Sequence, residues 1–202
     1  MSSAASVRTP GAGDRVADIL QAACRVVVRD GAHALRMAEV AREAGVSKAL
    51  LHYYFSTRQE LVRAAFAHSS DLWDKAVSAR LERAPSGAAK VELYLLASID
   101  SSEAFNEQRA LWNEVWSSLR VDSELRPLVY DAYRSWMERL VSLIEEGRSD
   151  GSVSKDVSAA RAGRRLAVFA DGLDSMLYLG LTDGRKARGL LRESIEQELG
   201  AR

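Results

Sequence analysis

Between Gly45 and Leu61 the chain reads GVSKALLHYYFSTRQEL, a stretch that gathers Lys48, His52, Tyr53, Tyr54, Thr57 and Arg58 around two helix-start signals. Such residues suit a polyanion with base edges, because phosphate contacts position a protein on a duplex while groove contacts read its sequence. On a helix turning 100° per residue, Leu51 and Phe55 point one way and Ala49 and Tyr53 the other, flanked by Leu50 and His52. One face is core and one is free. On the free face Ala49 permits close approach to a major groove, and Tyr53 can meet a phosphate or a thymine methyl.

Bond-making chemistry has little to work with. There are three histidines (His33, His52, His68), one cysteine, no glycine-rich phosphate loop and no nucleophile elbow. His68 and Asp71 share one helix turn, but two ligands do not make a metal site. The residues read as those of a non-enzyme with no cofactor and no metal.

The free face needs elements to hold it. Val16, Ile19, Leu20, Ala23, Val26 and Val27 form one stripe of a helix over 14–30, stopped by Gly31. Met37, Val40, Ala41 and Ala44 repeat that pattern over barely two turns before Gly45, too short to be stable alone. Ser47 then caps a third helix, with Val46 and Leu51 as the hydrophobic staple that sets its entry angle. Thr57 and Glu60 form a capping box that opens a fourth helix running to about Arg83. Two helix N-termini next to the free face offer unpaired N–H groups to phosphate oxygens, with Lys48 and Arg58 beside them and Arg36 a candidate at the second helix.

Five further helices are expected, over about 88–101, 103–119, 123–148, 156–180 and 183–199, separated by Val121-Asp122-Ser123, Asp150-Gly151-Ser152 and Thr182-Asp183-Gly184. The class is therefore all-α with about nine helices. Residues 1–13 read as a flexible tail, 14–60 as a three-helix helix-turn-helix unit and 61–202 as a helical second domain. No segment approaches the roughly 18 unbroken apolar residues of a membrane span, and a cytoplasmic place fits.

The 28 basic and 28 acidic side chains cancel overall, yet residues 1–63 hold nine Lys/Arg against six Asp/Glu, leaving the rest of the chain short by three. A small basic excess at the polyanion-facing end is a weak signal in the same direction. Cys24, among Ala22, Ala23, Val26 and Val27, reads as a small buried hydrophobe.

With these elements in place, the segment from about Asp14 to Leu61 resembles the DNA-binding domain of the TetR family of transcriptional regulators. The likeness rests on Val40-Ala41, Ala44-Gly45-Val46-Ser47, Leu51, Tyr53, Phe55, Arg58 and Leu61. The chain departs from the family at Ala49 (usually Gly), Leu50 (Thr), His52 (Tyr) and Arg58 (Lys), and Leu35-Arg36 stands where a capping Ser or Thr is usual. The resemblance implies that Arg36, Ser47, Lys48, Ala49, Leu50, His52, Tyr53, Tyr54, Thr57 and Arg58 face a palindromic operator in double-stranded DNA. It implies also a homodimer whose second domain binds a small-molecule effector.

All four tryptophans fall in that second domain. Apolar pockets with a few polar handles bind such effectors, and the candidate lining is Trp73, Phe105, Trp112, Trp116, Tyr133, Met137, Phe169, Asp171 and Met176; an acidic, aromatic-lined cavity would accept a cation through ring faces. Each of these residues alone reads better as core, and the pocket is a claim about the group. The run LAVFADGLDSMLYLGL at 166–181 is apolar almost all round and needs cover on two sides. One side is assigned here to a second subunit, through Gly163, Ala167, Ala170, Asp174, Leu177, Leu190, Leu191, Ile195 and Leu199. The competing reading is a helical sensor or interaction module without sequence-specific DNA binding, which the neutral charge, Leu50 and His52 accommodate.

Overall fold

The arrangement of the apolar stripes is seen in a computed structural model, which describes residues 12–100, 103–120 and 123–200, the side chains of 12, 103, 104 and 106 excepted. Those residues form nine α-helices and one 3-10 turn, with no strand among them. The helices are α1 (Ala12–Asp30), α2 (Met37–Glu43), α3 (Lys48–Tyr54), α4 (Arg58–Leu81), α5 (Gly87–Ser98), α6 (Glu103–Ser118), α7 (Arg126–Asp150), α8 (Ala159–Tyr178) and α9 (Gly184–Leu199). The turn, Ser123–Leu125, leads into α7. Helix α1 starts two residues before the expected boundary, inside the stretch read as tail, and the remainder of that stretch lies outside the described residues, as do Val121 and Asp122.

Two apolar cores organise the chain. The first joins Ile19, Ala22, Ala23, Val26 and Val27 of α1, Val40 and Ala41 of α2, Leu51 of α3 and Leu61, Val62, Ala65 and Phe66 of α4, and also takes in Leu111 and Val115 of α6 with Leu125 and Val129 around the start of α7. The second joins Val77 and Leu81 of α4 to α5, Phe105 of α6, α7, α8 and α9. Helices α4 and α6 thus each have a foot in both cores. The sequence showed that for α4 by its length. It did not show it for α6, whose partner α1 lies far back in the chain.

Helix α2 ends by a Schellman closure: Gly45 takes φ +66°, its N–H bonds to Arg42 O at 3.2 Å and the Val46 N–H bonds to Ala41 O at 2.9 Å. A left-handed residue there turns the chain sharply enough to start α3 three residues later. A close helix approach lies elsewhere, where Gly87 at the start of α5 meets Gly147 of α7. A Cβ on Gly87 would lie 2.2 Å from the Gly147 N.

Candidate nucleic-acid interface and ligand cavity

Helix α3 is held from both ends and from beneath. Ser47 Oγ accepts the Leu50 N–H at 3.1 Å, Leu51 is fully buried and Phe55 is 7% exposed. At the next junction Thr57 Oγ1 accepts the Glu60 N–H at 3.1 Å, while Glu60 Oε2 accepts from the Ser56 N–H at 2.8 Å, one residue before the cap itself. Pinned in this way, α3 presents Lys48, Ala49, His52 and Tyr53 to solvent, with Tyr53 79% exposed and braced edge-on by the half-buried Tyr54 at 5.1 Å. Leu50 is half-buried on the same helix.

Arg36 caps α2 by position only, without a side-chain bond, and is exposed. The basic excess of this domain is smaller in space than in sequence. Arg25, Arg29 and Arg42 are tied to Asp30, Glu39 and Glu43 along α1 and α2, which leaves Arg36 and Lys48 as cations without an ion-pair partner among the described residues near α3.

Arg58 is held by its own subunit. Its guanidinium Nη1 donates to the backbone carbonyl of Ala32 at 2.6 Å, tying the start of α4 to the loop before α2. A chain carbonyl on a buried residue needs a donor, and Arg58, 26 positions away, is the one that reaches it. Arg58→Ala is therefore expected to cost about 1–3 kcal/mol of stability through the orphaned carbonyl, read as a lower midpoint in urea.

Cys24, expected as a buried small hydrophobe, is half-buried and packs against the edge of the first core. Its Sγ donates to Ala65 O at 3.4 Å, and desolvation pushes the thiol pKa up to about 12.

Between the two cores lies a cavity of about 660 Å³. Its walls include Phe66, Trp73, Asp74 and Val77 of α4, Tyr94 of α5, Phe105, Arg109 and Trp112 of α6, Tyr133, Trp136 and Arg139 of α7, and Ala170, Asp171 and Asp174 of α8. The rings form a connected series: Trp73 to Tyr94 at 5.4 Å, Tyr94 to Trp136 at 6.0 Å, Trp136 to Tyr133 at 5.6 Å and Tyr133 to Trp112 at 6.5 Å between centroids. Carboxylates punctuate it. Tyr133 Oη donates to Asp171 Oδ2 at 2.6 Å, and Arg109 Nη1 pairs with Asp174 Oδ1 at 2.9 Å. Desolvation raises the Asp171 carboxyl above the usual range against the lowering effect of the Tyr133 bond, and desolvation with the nearby Asp71 raises Asp74. Two buried polar atoms in this wall, Gln108 Oε1 and Arg109 Nε, have no hydrogen-bond partner.

The comparisons with known proteins bear on this geometry. The model for bacterial regulatory proteins of the tetR family matches residues 19–65, and that for the C-terminal part of BetI-type transcriptional repressors matches residues 87–200, more than half of the chain. The chain belongs to the TetR family of transcriptional regulators. It is 28% identical over 188 residues to the HTH-type transcriptional regulator BetI of Escherichia coli strain K12 / DH10B, covering 90% of this chain and 92% of that protein. Among solved structures, a TetR-family regulator from Rhodococcus sp. superposes with a TM-score of 0.82 at 24% identity, covering 92% of this chain and 98% of that one. A transcriptional regulator from Saccharomonospora viridis in complex with choline gives 0.79 at 24%, covering 91% and 96%. The TetR-type architecture accounts for a helix-turn-helix DNA-binding unit carried on a helical body.

Within this TetR-family body the structure moves several expected site residues. Trp73, Phe105, Trp112, Tyr133 and Asp171 line the cavity. Trp116 does not: it is 53% exposed, stacked outside Trp112 at 6.1 Å. Met137 packs on the second core, and Phe169 and Met176 lie on the outer face of α8. Tyr94, Trp136, Asp74, Arg109 and Arg139 are cavity residues that sequence reasoning missed, because a ring at helical spacing reads as core and the Arg109–Asp174 pair spans 65 positions.

The interface expectation placed the wrong stripe of α8 outward. Gly163, Ala167 and Ala170, with Leu191, Ile195 and Leu199 of α9, are buried in their own subunit; Leu177 packs against that core and Asp174 lines the cavity. The stripe left open is Val168, Phe169, Gly172 and Met176, continued by the exposed Leu179, Leu181 and Leu190. A helix apolar all round gives both stripes the same periodicity, so only the neighbours decide which one turns inward. Among the described residues no helix is long and apolar enough to cross a membrane, and no three His, Cys, Asp or Glu are grouped as metal ligands.

Proposed function

We propose that the protein is a cytoplasmic, non-enzymatic repressor that binds a palindromic operator as a homodimer and is released from it by a cationic effector held in the cavity. The observation that carries the DNA half is α3, fixed by Leu51 and Ser47 with Tyr53 79% exposed. Lys48, Arg36 and the N–H groups at the starts of α3 and α4 take phosphates, while Ala49, Leu50, His52 and Tyr53 face the groove. The departures Leu50 and His52 alter which bases are read.

Ring faces attract cations, most strongly where water is excluded, and the lining combines seven aromatic side chains with carboxylates that two arginines leave partly uncompensated. Choline, bound by the Saccharomonospora viridis relative, belongs to this class of ligand. A gel shift with DNA flanking the protein's own gene, at two salt concentrations and with and without a quaternary ammonium salt, tests the whole reading. A specific shift that the ammonium ion dissolves supports it. Absence of any specific shift favours the sensor or interaction module.

Binding of a permanently charged ion such as tetramethylammonium is expected to weaken as pH falls. Asp171 and Asp74 titrate above the usual carboxylate range, so they lose the charge that the ligand needs before ordinary surface carboxylates do. In the free protein the sign is consistent: native carboxyls that hold protons more tightly than unfolded ones favour the fold at low pH, and that contribution is lost as pH rises through their raised pKa values. Isothermal titration across acid to neutral pH reads the first effect, with proton release on binding at the acid end.

The outward stripe of α8 supplies the dimer face. Phe169→Asp is expected to shift the mass in solution from dimer to monomer, because a charge on each side of a two-fold contact is desolvated without a partner. Sedimentation at several concentrations checks it, and an unchanged dimer would move the interface elsewhere.

A further inference from the structure

We infer that the cavity is built for a linear dication, two ammonium heads joined by an apolar chain, with one head at Asp71 and Asp74 and the other at Asp171. This rests on the cation reading of the cavity and goes beyond it.

The carboxylates of the lining are not scattered. Asp71 and Asp74 sit one turn apart on α4, and Asp171 and Asp174 sit one turn apart on α8. Each pair has a single arginine to answer it. Arg109 pairs with Asp174 at 2.9 Å, and Arg139 is the cation acting on Asp74. Asp131, the fifth carboxylate of the lining, is answered by Arg134 at 3.4 Å, which does not line the cavity. One negative charge is thus left over in each pair, and the Asp171 carboxylate receives only the neutral phenol of Tyr133.

Independent of charge, the ring series runs from one pair to the other. It begins at Trp73, whose chain neighbour is Asp74, and reaches Tyr133, which bonds Asp171, in three ring-to-ring steps of 5.4, 6.0 and 5.6 Å. An alkyl chain laid on these faces connects the two charges. The size agrees. At on the order of 30 Å³ per non-hydrogen atom, the share of one water in the liquid, a choline-sized ion of seven such atoms takes about 200 Å³, under a third of the 660 Å³ available.

The test uses the full-length protein and three kinds of probe: tetramethylammonium, alkyltrimethylammonium ions of increasing chain length, and the bis(trimethylammonium) compounds of the same lengths. The matched monocations control for chain hydrophobicity. Titration calorimetry should show the best bis compound binding about tenfold or more tightly than its matched monocation, since the second head binds intramolecularly, with an optimum at intermediate length. Asp71→Asn/Asp74→Asn should remove that advantage and leave one of the two tetramethylammonium sites, and Asp171→Asn should weaken the bis compounds and remove the other. A readout without mutation accompanies it: two tetramethylammonium ions per subunit at saturation, against one bis compound. Bis compounds no tighter than matched monocations, an advantage that survives the double substitution, or a single tetramethylammonium site would each overturn the dication. If no ammonium compound binds at all, the cation reading of the cavity fails and takes this inference with it.

Discussion

Replacing Tyr53 by alanine is expected to lower operator affinity by about 100-fold or more while leaving non-specific DNA binding and stability nearly unchanged. The reasoning is additive over the dimer: a good groove contact discriminates by about 1–3 kcal/mol, and two half-sites lose one each. Non-specific affinity is set by phosphates neutralised, and Tyr53 carries no charge, so the salt slope stays. Stability stays because the side chain is 79% exposed and its ring contact is with Tyr54 on the same helix; surface changes of this kind fall within about 0.5 kcal/mol. Tyr53→Phe separates the hydroxyl from the ring. Footprints identical for wild type and Tyr53→Ala would mean that α3 is not the reading helix.

Gly87→Ala carries the largest expected effect on folding. Its Cβ would stand 2.2 Å from Gly147 N, 2.4 Å from Gly147 Cα and 2.8 Å from the Glu146 carbonyl carbon, all backbone, so no side-chain rotation relieves it. Helices α5 and α7 must separate, which opens the core around Val91, Leu143 and Ile144. Separation also strains the bonds that close the start of α5: Gly87 N–H to Asp150 Oδ2 at 2.7 Å and Ala88 N–H to Ser152 Oγ at 3.0 Å. Overpacking alone costs about 1–3 kcal/mol, and a strained bond adds about 1 kcal/mol each. The sum is about 3–5 kcal/mol, a fall in Tm of about 10 °C for a chain of this size at fixed protein concentration. Gly172→Ala is the contrast. A Cβ there meets nothing within 4 Å, so the subunit gains helix propensity of up to about 1 kcal/mol. Equal melting shifts in the two variants would contradict the close approach.

Both results depend on different depths of information. For α3, adjacent residues suffice. Val46, Ser47 and Leu51 dictate where the helix starts and which side is anchored, and Tyr53 falls opposite by helical spacing alone. The caps at Ser47 and Thr57 were legible for the same reason: a side chain and the N–H it accepts lie three residues apart. The helix count and the helix-turn-helix unit follow from such local rules.

Where the partner is distant, the sequence was silent or misleading. The bond from Arg58 to Ala32 O spans 26 positions, and no local pattern announces it. The need of Gly87 for Gly147 exists only once two helices cross. The cavity is a space between α4, α5, α6, α7 and α8, and whether a ring lines it or fills a core is decided by which of its sides has a neighbour. Asp174, placed at a dimer face by periodicity, turns instead toward Arg109.

Local order, then, was determined by the sequence itself: about nine helices, the caps at Ser47 and Thr57, and an exposed face on the third. The inward stripe of α8, the pairing of Asp174 and the walls of the cavity were decided only in the tertiary structure. The physical reason is range: capping bonds and helical periodicity act within four residues, whereas burial and charge pairing depend on groups brought together by the whole chain.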